Sequence, residues 1–172
     1  MKFNSKYTIG SEQGVSDFIS IIDASITALH TGFIDKNDIS KYVKNEINPR
    51  KIINDLNNLS NQLIIAYANN KPAGFCMIKS GSYTSQIPTE RKAAEVSLAI
   101  LNEFDTSDIR LSLWNKCRSA LMFSEIVWTN IMVHDPTINF LKDVGFSVLA
   151  KSSAGPFLLP SYIMAMDVNN HP

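Results

Sequence analysis

Apolar residues recur at helical spacing through the first third of the chain and then gather into short runs punctuated by turn residues. Phe18, Ile21, Ile22, Ser25, Ile26 and Leu29 share one stripe, which predicts a helix from about Ser16 to Leu29. Ile39, Tyr42, Val43 and Ile47 repeat the pattern. Asn48-Pro49 then resets the chain, because an Asn side chain can accept from first-turn N–H groups and Pro suits the first helical position. Ile52, Ile53, Leu56 and Leu59 supply the apolar face of that next helix.

The texture changes at Gln62. Leu63 to Ala68 is a short apolar run, and Ala73 to Ile78 runs back from it. Between them Asn69-Asn70 can take the left-handed conformations of a tight hairpin, so an antiparallel pair is expected. Gly81 to Arg91 is polar, carries Pro88 and reads as a mobile loop before a strand at Ala94 to Leu101. Past the junction Asn102 to Arg110, Leu111, Trp114, Arg118 and Leu121 fall on one side of a helix for which Thr106, Ser107 and Asp108 are candidate caps. A strand at Ile126 to Val133 comes next. Pro136 opens a short helix with Ile138, Phe140 and Leu141, stopped by Gly145 before strands at Phe146 to Ala150 and Ser161 to Val168. This order predicts an α/β or α+β fold, a central sheet covered by helices.

At 172 residues and 45% hydrophobic content the chain has enough apolar surface for one core, so a single domain over residues 1–172 is expected. Sixteen basic residues balance sixteen acidic ones and no Lys/Arg run exceeds two, which argues against nucleic acid as a partner. Cys76 and Cys117 are far apart in sequence, in apolar surroundings, and have neither zinc-site nor disulfide-framework spacing. The polar start of the chain and the absence of a bilayer-length apolar run argue against secretion and membrane insertion. A cytoplasmic protein with a small-molecule or protein partner is the expectation, and no metal is called for.

Two blocks carry a family resemblance. One is Asn48 to Gln62 followed by Ala73-Gly74-Phe75; the other is Ile138-Asn139-Phe140-Leu141-Lys142-Asp143-Val144-Gly145-Phe146. With the element order, they resemble the GNAT superfamily of acyl-CoA-dependent N-acyltransferases over roughly Tyr7 to Val168, nearest the bacterial spermidine and diamine acetyltransferases. The second block is similar to the family's A-I-x-F-Y-x-x-x-G-F stretch. The resemblance implies a mixed, mostly antiparallel sheet splayed between its fourth and fifth strands. It also implies acetyl-CoA as co-substrate and an amine of a small molecule or peptide as acceptor; a homodimer is compatible with it. Carried over by position, the coenzyme contacts would be Ala99, Ile100, Leu101, Ile109, Arg110, Leu111 and Phe140.

The chain departs from the family at both chemical motifs. The coenzyme loop Q/R-x-x-G-x-G/A is represented by Asp105, Asp108 and Arg110, so neither glycine is present. The family's tyrosine acid corresponds to Leu141, which cannot donate a proton, and an upstream asparagine to His134. A carboxylate about 8 Å from a phosphate is repelled by roughly 0.5 kcal/mol in water and about 2 kcal/mol at an effective dielectric near 20. Asp105 and Asp108 together would weaken coenzyme binding on the order of 10- to 1000-fold, which Arg110 could partly offset. The ordinary reading beside it is that Asp105 and Asp108 cap a helix whose amino end prefers negative charge.

Other candidates have an ordinary reading beside the chemical one. Glu95 could be a base or a solvated strand-end glutamate, His134 a base or a loop residue, and Cys117 a nucleophile or a packing residue. Tyr162 could replace the missing acid or pack on its strand, whereas Trp114 and Trp128 read as core. The rival to an enzyme is a GNAT-fold binding module without catalysis.

Overall fold

The computed structural model describes residues 2–168. Its elements in chain order are β1 (Phe3–Thr8), α1 (Glu12–His30), α2 (Lys36–Glu46), α3 (Pro49–Asn57), β2 (Asn61–Ala68), β3 (Lys71–Ser80) and β4 (Ala93–Ile100). A 3₁₀ turn (Asn102–Phe104) leads to α4 (Ser107–Ala120), β5 (Ile126–Met132), α5 (Ile138–Asp143), β6 (Ser147–Ala154) and β7 (Leu159–Asp167). Seven strands form one mixed, mostly antiparallel sheet in the order β1-β2-β3-β4-β5-β7-β6, with β4 and β5 parallel. Contacts group the chain into two units, one holding the chain up to Met77 with Leu98–Cys117, the other Ile78–Ser97 and the chain from Arg118 on.

In the first unit the local signals act as the sequence predicts. Asn48 Oδ1 accepts from Lys51 N at 2.9 Å, capping α3. Asn69 and Asn70 both take positive φ, 49° and 67°, and turn β2 into β3. Leu63, Ile65, Phe75 and Met77 on one face of this hairpin bury Val15, Phe18 and Ile21 of α1 and Ile52 of α3, with the Phe18 and Phe75 rings edge-on at 4.8 Å. Tyr67 ends that row. Its hydroxyl donates to Asp17 Oδ2 at 2.7 Å and Lys6 Nζ lies 4.5 Å from its ring centre. Burial, then the hydrogen bond to the Asp17 carboxylate, push the phenol well above its ordinary value and keep it protonated. The opposite side of the hairpin meets α4, where Cys76 contacts Cys117, and Ser5 of β1 pairs with Ser112 at 3.0 Å.

Two expectations need correction here. The pattern gave no strand at the start of the chain, yet β1 pairs antiparallel with β2 from Phe3↔Ala68 to Thr8↔Leu63. As an edge strand β1 is mostly exposed and polar, so it has no apolar run to announce it. On α4 the buried face is Ile109, Leu113, Trp114 and Cys117, not the stripe through Leu111 and Arg118; Leu111 is 47% exposed.

The second unit buries Ile87, Ala93, Ile126, Trp128, Ile163 and Ala165 together. The segment Gly81 to Arg91, expected to be mobile, is tied down: Trp128 Nε1 donates to Ser82 O at 2.9 Å, Tyr83 Oη to Arg91 O at 2.9 Å, and Ile87 is 3% exposed. Arg91 bridges Asp167 Oδ2 at 2.7 Å and Glu125 O at 3.1 Å. Gly145, at φ 110°, ends α5 as expected, and β6 begins one residue later than Phe146 and runs on to Ala154. Among the described residues no helix is long and apolar enough to cross a membrane.

Gly74 sets how closely β3 can lie against the end of β4. A Cβ there would stand 2.7 Å from the Ala99 carbonyl oxygen and 3.2 Å from Ile100 Cα, both backbone atoms of the sheet. Gly74→Ala should therefore destabilise the protein by about 1–3 kcal/mol, as overpacking of a fixed interior does. Thermal unfolding should show a midpoint lower by roughly 3–10 °C; an unchanged midpoint would mean that the two strands part without cost.

Candidate functional site

The carboxyl end of β4 has a backbone edge facing away from β3. Leu101 N donates to Ala73 O at 2.8 Å and Gly81 N to Ala93 O at 2.9 Å, so odd-numbered residues of β4 turn their backbone groups toward β3. Even-numbered residues turn theirs to the other side. There the parallel ladder to β5 has three pairs, Ala93↔Ile126, Ala94↔Val127 and Glu95↔Trp128, which is the expected splay. Leu98 and Ile100 lie past the last pair, so this ladder does not reach their N–H and C=O groups.

Next comes the turn that lacks glycine. None of Asn102 to Arg110 has positive φ, so the loop needs no glycine for its own conformation. Thr106 occupies the cap of α4: its carbonyl accepts from Arg110 N at 3.1 Å and its hydroxyl from Ile109 N at 3.5 Å. In the first turn Ser107 and Asp108 have N–H groups with no carbonyl preceding them in the helix. Asp105 is not a cap, which corrects one of its two readings. Its carboxylate is clasped by Arg110, with Nε and Nη2 donating to the two oxygens at 2.5 Å each. These side chains are only 13% and 23% exposed. Asp108 points into solvent.

Of the residues the resemblance implicates, Ala99, Ile100, Leu101, Ile109, Arg110 and Leu111 belong to this one strand–turn–helix of the first unit. Their side chains are not equivalent. Ile109 is fully buried and Ile100 8% exposed, whereas Ala99 and Leu101 pack half-buried on the α1 core. Only Arg110 and Leu111 combine a position at the helix start with an accessible side chain. Phe140 is buried in α5, in the second unit.

The second unit holds the other candidates. Glu95 Oε2 accepts from Ser82 Oγ at 2.7 Å, which gives it a fixed, half-buried position. Leu141 is 1% exposed and Trp128 6%. Tyr162 is half-buried on β7, opposite Ile131 of β5 and Lys151 of β6, and His134 is half-buried in the turn after β5. Two arrangements had no sequence signal. Asn130 accepts from Ser161 Oγ at 2.6 Å while donating to Ser153 O at 2.9 Å, and Cys76 meets Cys117 in the first unit. Both depend on which strands and helices are neighbours. Among the described residues no three or more His, Cys, Asp or Glu side chains are grouped to hold a metal.

No protein-family model and no curated protein matches the chain. Solved structures do. The PaiA N-acetyltransferase of Thermoplasma acidophilum in complex with coenzyme A superposes with a TM-score of 0.75 at 15% identity, over 97% of this chain and 99% of that one. YncA from Salmonella typhimurium with its cofactor acetyl-CoA gives 0.64 at 13% identity, covering 98% and 95%. An aminoglycoside N(6')-acetyltransferase from Legionella pneumophila gives 0.63 at 16%, covering 99% and 95%. The fold is the GNAT fold.

The Asp105–Arg110 pair is charge-assisted, bidentate and largely shielded, so it should contribute more than a surface ion pair. Asp105→Asn is expected to destabilise by about 1–2 kcal/mol in urea unfolding with the slope unchanged. In the double variant Asp105→Asn/Arg110→Gln the losses should not add. Additive losses would show that the two side chains act independently.

Proposed function

We propose that this chain is an acyl-CoA-dependent N-acetyltransferase with a divergent coenzyme loop, acting on an amine of a small molecule or peptide. The observation that carries the reading is the backbone edge at Leu98 and Ile100, which leads straight to the amino end of α4. An extended amide-bearing arm can add to such an edge as an extra strand would, and a pyrophosphate can rest on first-turn N–H groups. The fold shared with coenzyme-bound acetyltransferases supports it. The acceptor side of the reading, an amine of a small molecule or peptide, rests on the sequence resemblance.

The Asp105–Arg110 geometry changes the expected electrostatics of the loop. Asp105 is neutralised by its partner, so the repulsion expected from two carboxylates reduces to that of Asp108, about 2 kcal/mol or less at its exposed position. The planar guanidinium that grips a carboxylate matches a phosphate equally well. Coenzyme binding then requires Arg110 to leave Asp105 or to share itself between two anions.

In the reaction the Leu98 and Ile100 backbone groups would hold the acyl donor in line for direct attack by the amine nitrogen. The carbon–nitrogen bond forms as the carbon–sulfur bond breaks, the nitrogen gives up one proton to solvent, and the departing thiolate takes one up. Leu141 cannot supply it. Positioning and backbone stabilisation of the developing oxyanion would carry the rate, and the missing acid leaves turnover lower by about 10²- to 10⁴-fold. The same two departures, the occupied Arg110 and the buried Leu141, favour the second reading of a GNAT-fold binding module without catalysis.

Calorimetric titration of acetyl-CoA separates the two. The enzyme reading predicts measurable binding to the wild type and at least about tenfold tighter binding to Asp105→Asn, because one negative charge is removed from the loop and Arg110 no longer faces a carboxylate there. Binding that weakens in Asp105→Asn would show that the pair, intact, shapes the site. Absence of heat at millimolar coenzyme in both proteins would favour the binding module.

A further inference from the structure

Cys76 of β3 and Cys117 of α4 are separated by 41 positions, yet the Cys76 thiol donates to the Cys117 sulfur across 2.8 Å. Both are free thiols with no exposed surface. We propose that this pair is a redox modification site, a dithiol that a hydroperoxide converts into an intramolecular disulfide fastening α4 to β3. Bond formation asks the sulfurs to approach by about 0.8 Å, a shift that side-chain rotation can supply. The inference is independent of the acyl-transfer reading.

The chemistry balances with one peroxide per chain. One thiol loses its proton and its sulfur attacks a peroxide oxygen; the O–O bond breaks, leaving a sulfenic acid and, after protonation, an alcohol or water. The second sulfur then attacks the first, the S–O bond breaks, and hydroxide leaves to combine with the second thiol's proton as water. Two thiols are oxidised by two electrons and the peroxide is reduced by two. The mutual hydrogen bond and then burial hold the Cys76 thiol well above its usual range, which makes the site slow and dependent on local opening.

The position gives the staple a consequence. Cys76 lies two residues beyond Gly74, which abuts the Ala99 carbonyl, and Cys117 lies two helical turns beyond Arg110. A bond between them joins the strand that backs β4 to the helix that begins at the Asp105–Arg110 loop.

The test uses the full chain, fully reduced and then exposed to hydrogen peroxide under native conditions. Thiols titrated after denaturation should fall from two to none, the intact mass should drop by two hydrogens, and the chain should stay monomeric on a non-reducing gel. Its melting midpoint should rise by roughly 5–15 °C, since a loop of this length is closed in the unfolded chain, and dithiothreitol should reverse every change. Cys117→Ala should show no such rise. Surviving thiols, added oxygen atoms, disulfide-linked dimers or an unchanged midpoint in the wild type would each overturn the proposal.

Discussion

Every backbone N–H and C=O in a sheet interior must find a partner, and β4 meets that demand unequally on its two sides. Toward β3 it is paired to its end, with Leu101 N on Ala73 O. Toward β5 the ladder stops at Glu95, although β4 continues to Ile100. The missing side chain at Gly74 allows the paired side to be close, and that closeness positions the edge of Leu98 and Ile100 that the β5 ladder does not reach. The 3₁₀ turn and α4 depend on the same placement. Both follow this strand end directly in the chain.

The loop itself is best understood as folded around an internal anion. A glycine-rich loop gives a phosphate access to bare backbone, whereas here Asp105 supplies two oxygens to Arg110 in the fork geometry a phosphate would use. No residue of the loop has positive φ, so the absence of glycine produces no strain and the cost falls on access and charge alone. On the proposed reading, competition for one guanidinium, more than loop conformation, would determine whether a coenzyme phosphate is held.

How much was legible in the sequence depended on whether the relevant physics was local. Asn48, Asn69-Asn70 and Gly145 act through their own backbone neighbours, and each does in the fold what its residue type predicts. The apolar runs at Leu63, Ala73 and Ile126 marked strands because burial on both faces needs continuous hydrophobicity. Where burial is slight, as in Phe3–Thr8 at the sheet edge, the pattern had nothing to register. On α4 the face was misread because Leu111 is an exposed apolar residue, a common occurrence on surfaces, while Ile109, Leu113 and Cys117 point inward. The strand-to-helix junction that carries the candidate site was readable from the apolar run before it and the cap residues after it. Its electrostatic state was not, because Asp105 lies outside the helix and meets Arg110 only through the shape of the turn.

The central claim is that the edge at Leu98 and Ile100, with the start of α4, is where an acyl-CoA binds. Amide chemical shifts recorded while acetyl-CoA is added to isotopically labelled protein test it residue by residue. The account predicts that the amides of Leu98, Ile100, Ser107 and Asp108 move most and gain protection from solvent exchange. Binding that shifts amides elsewhere and leaves these four unmoved would contradict it.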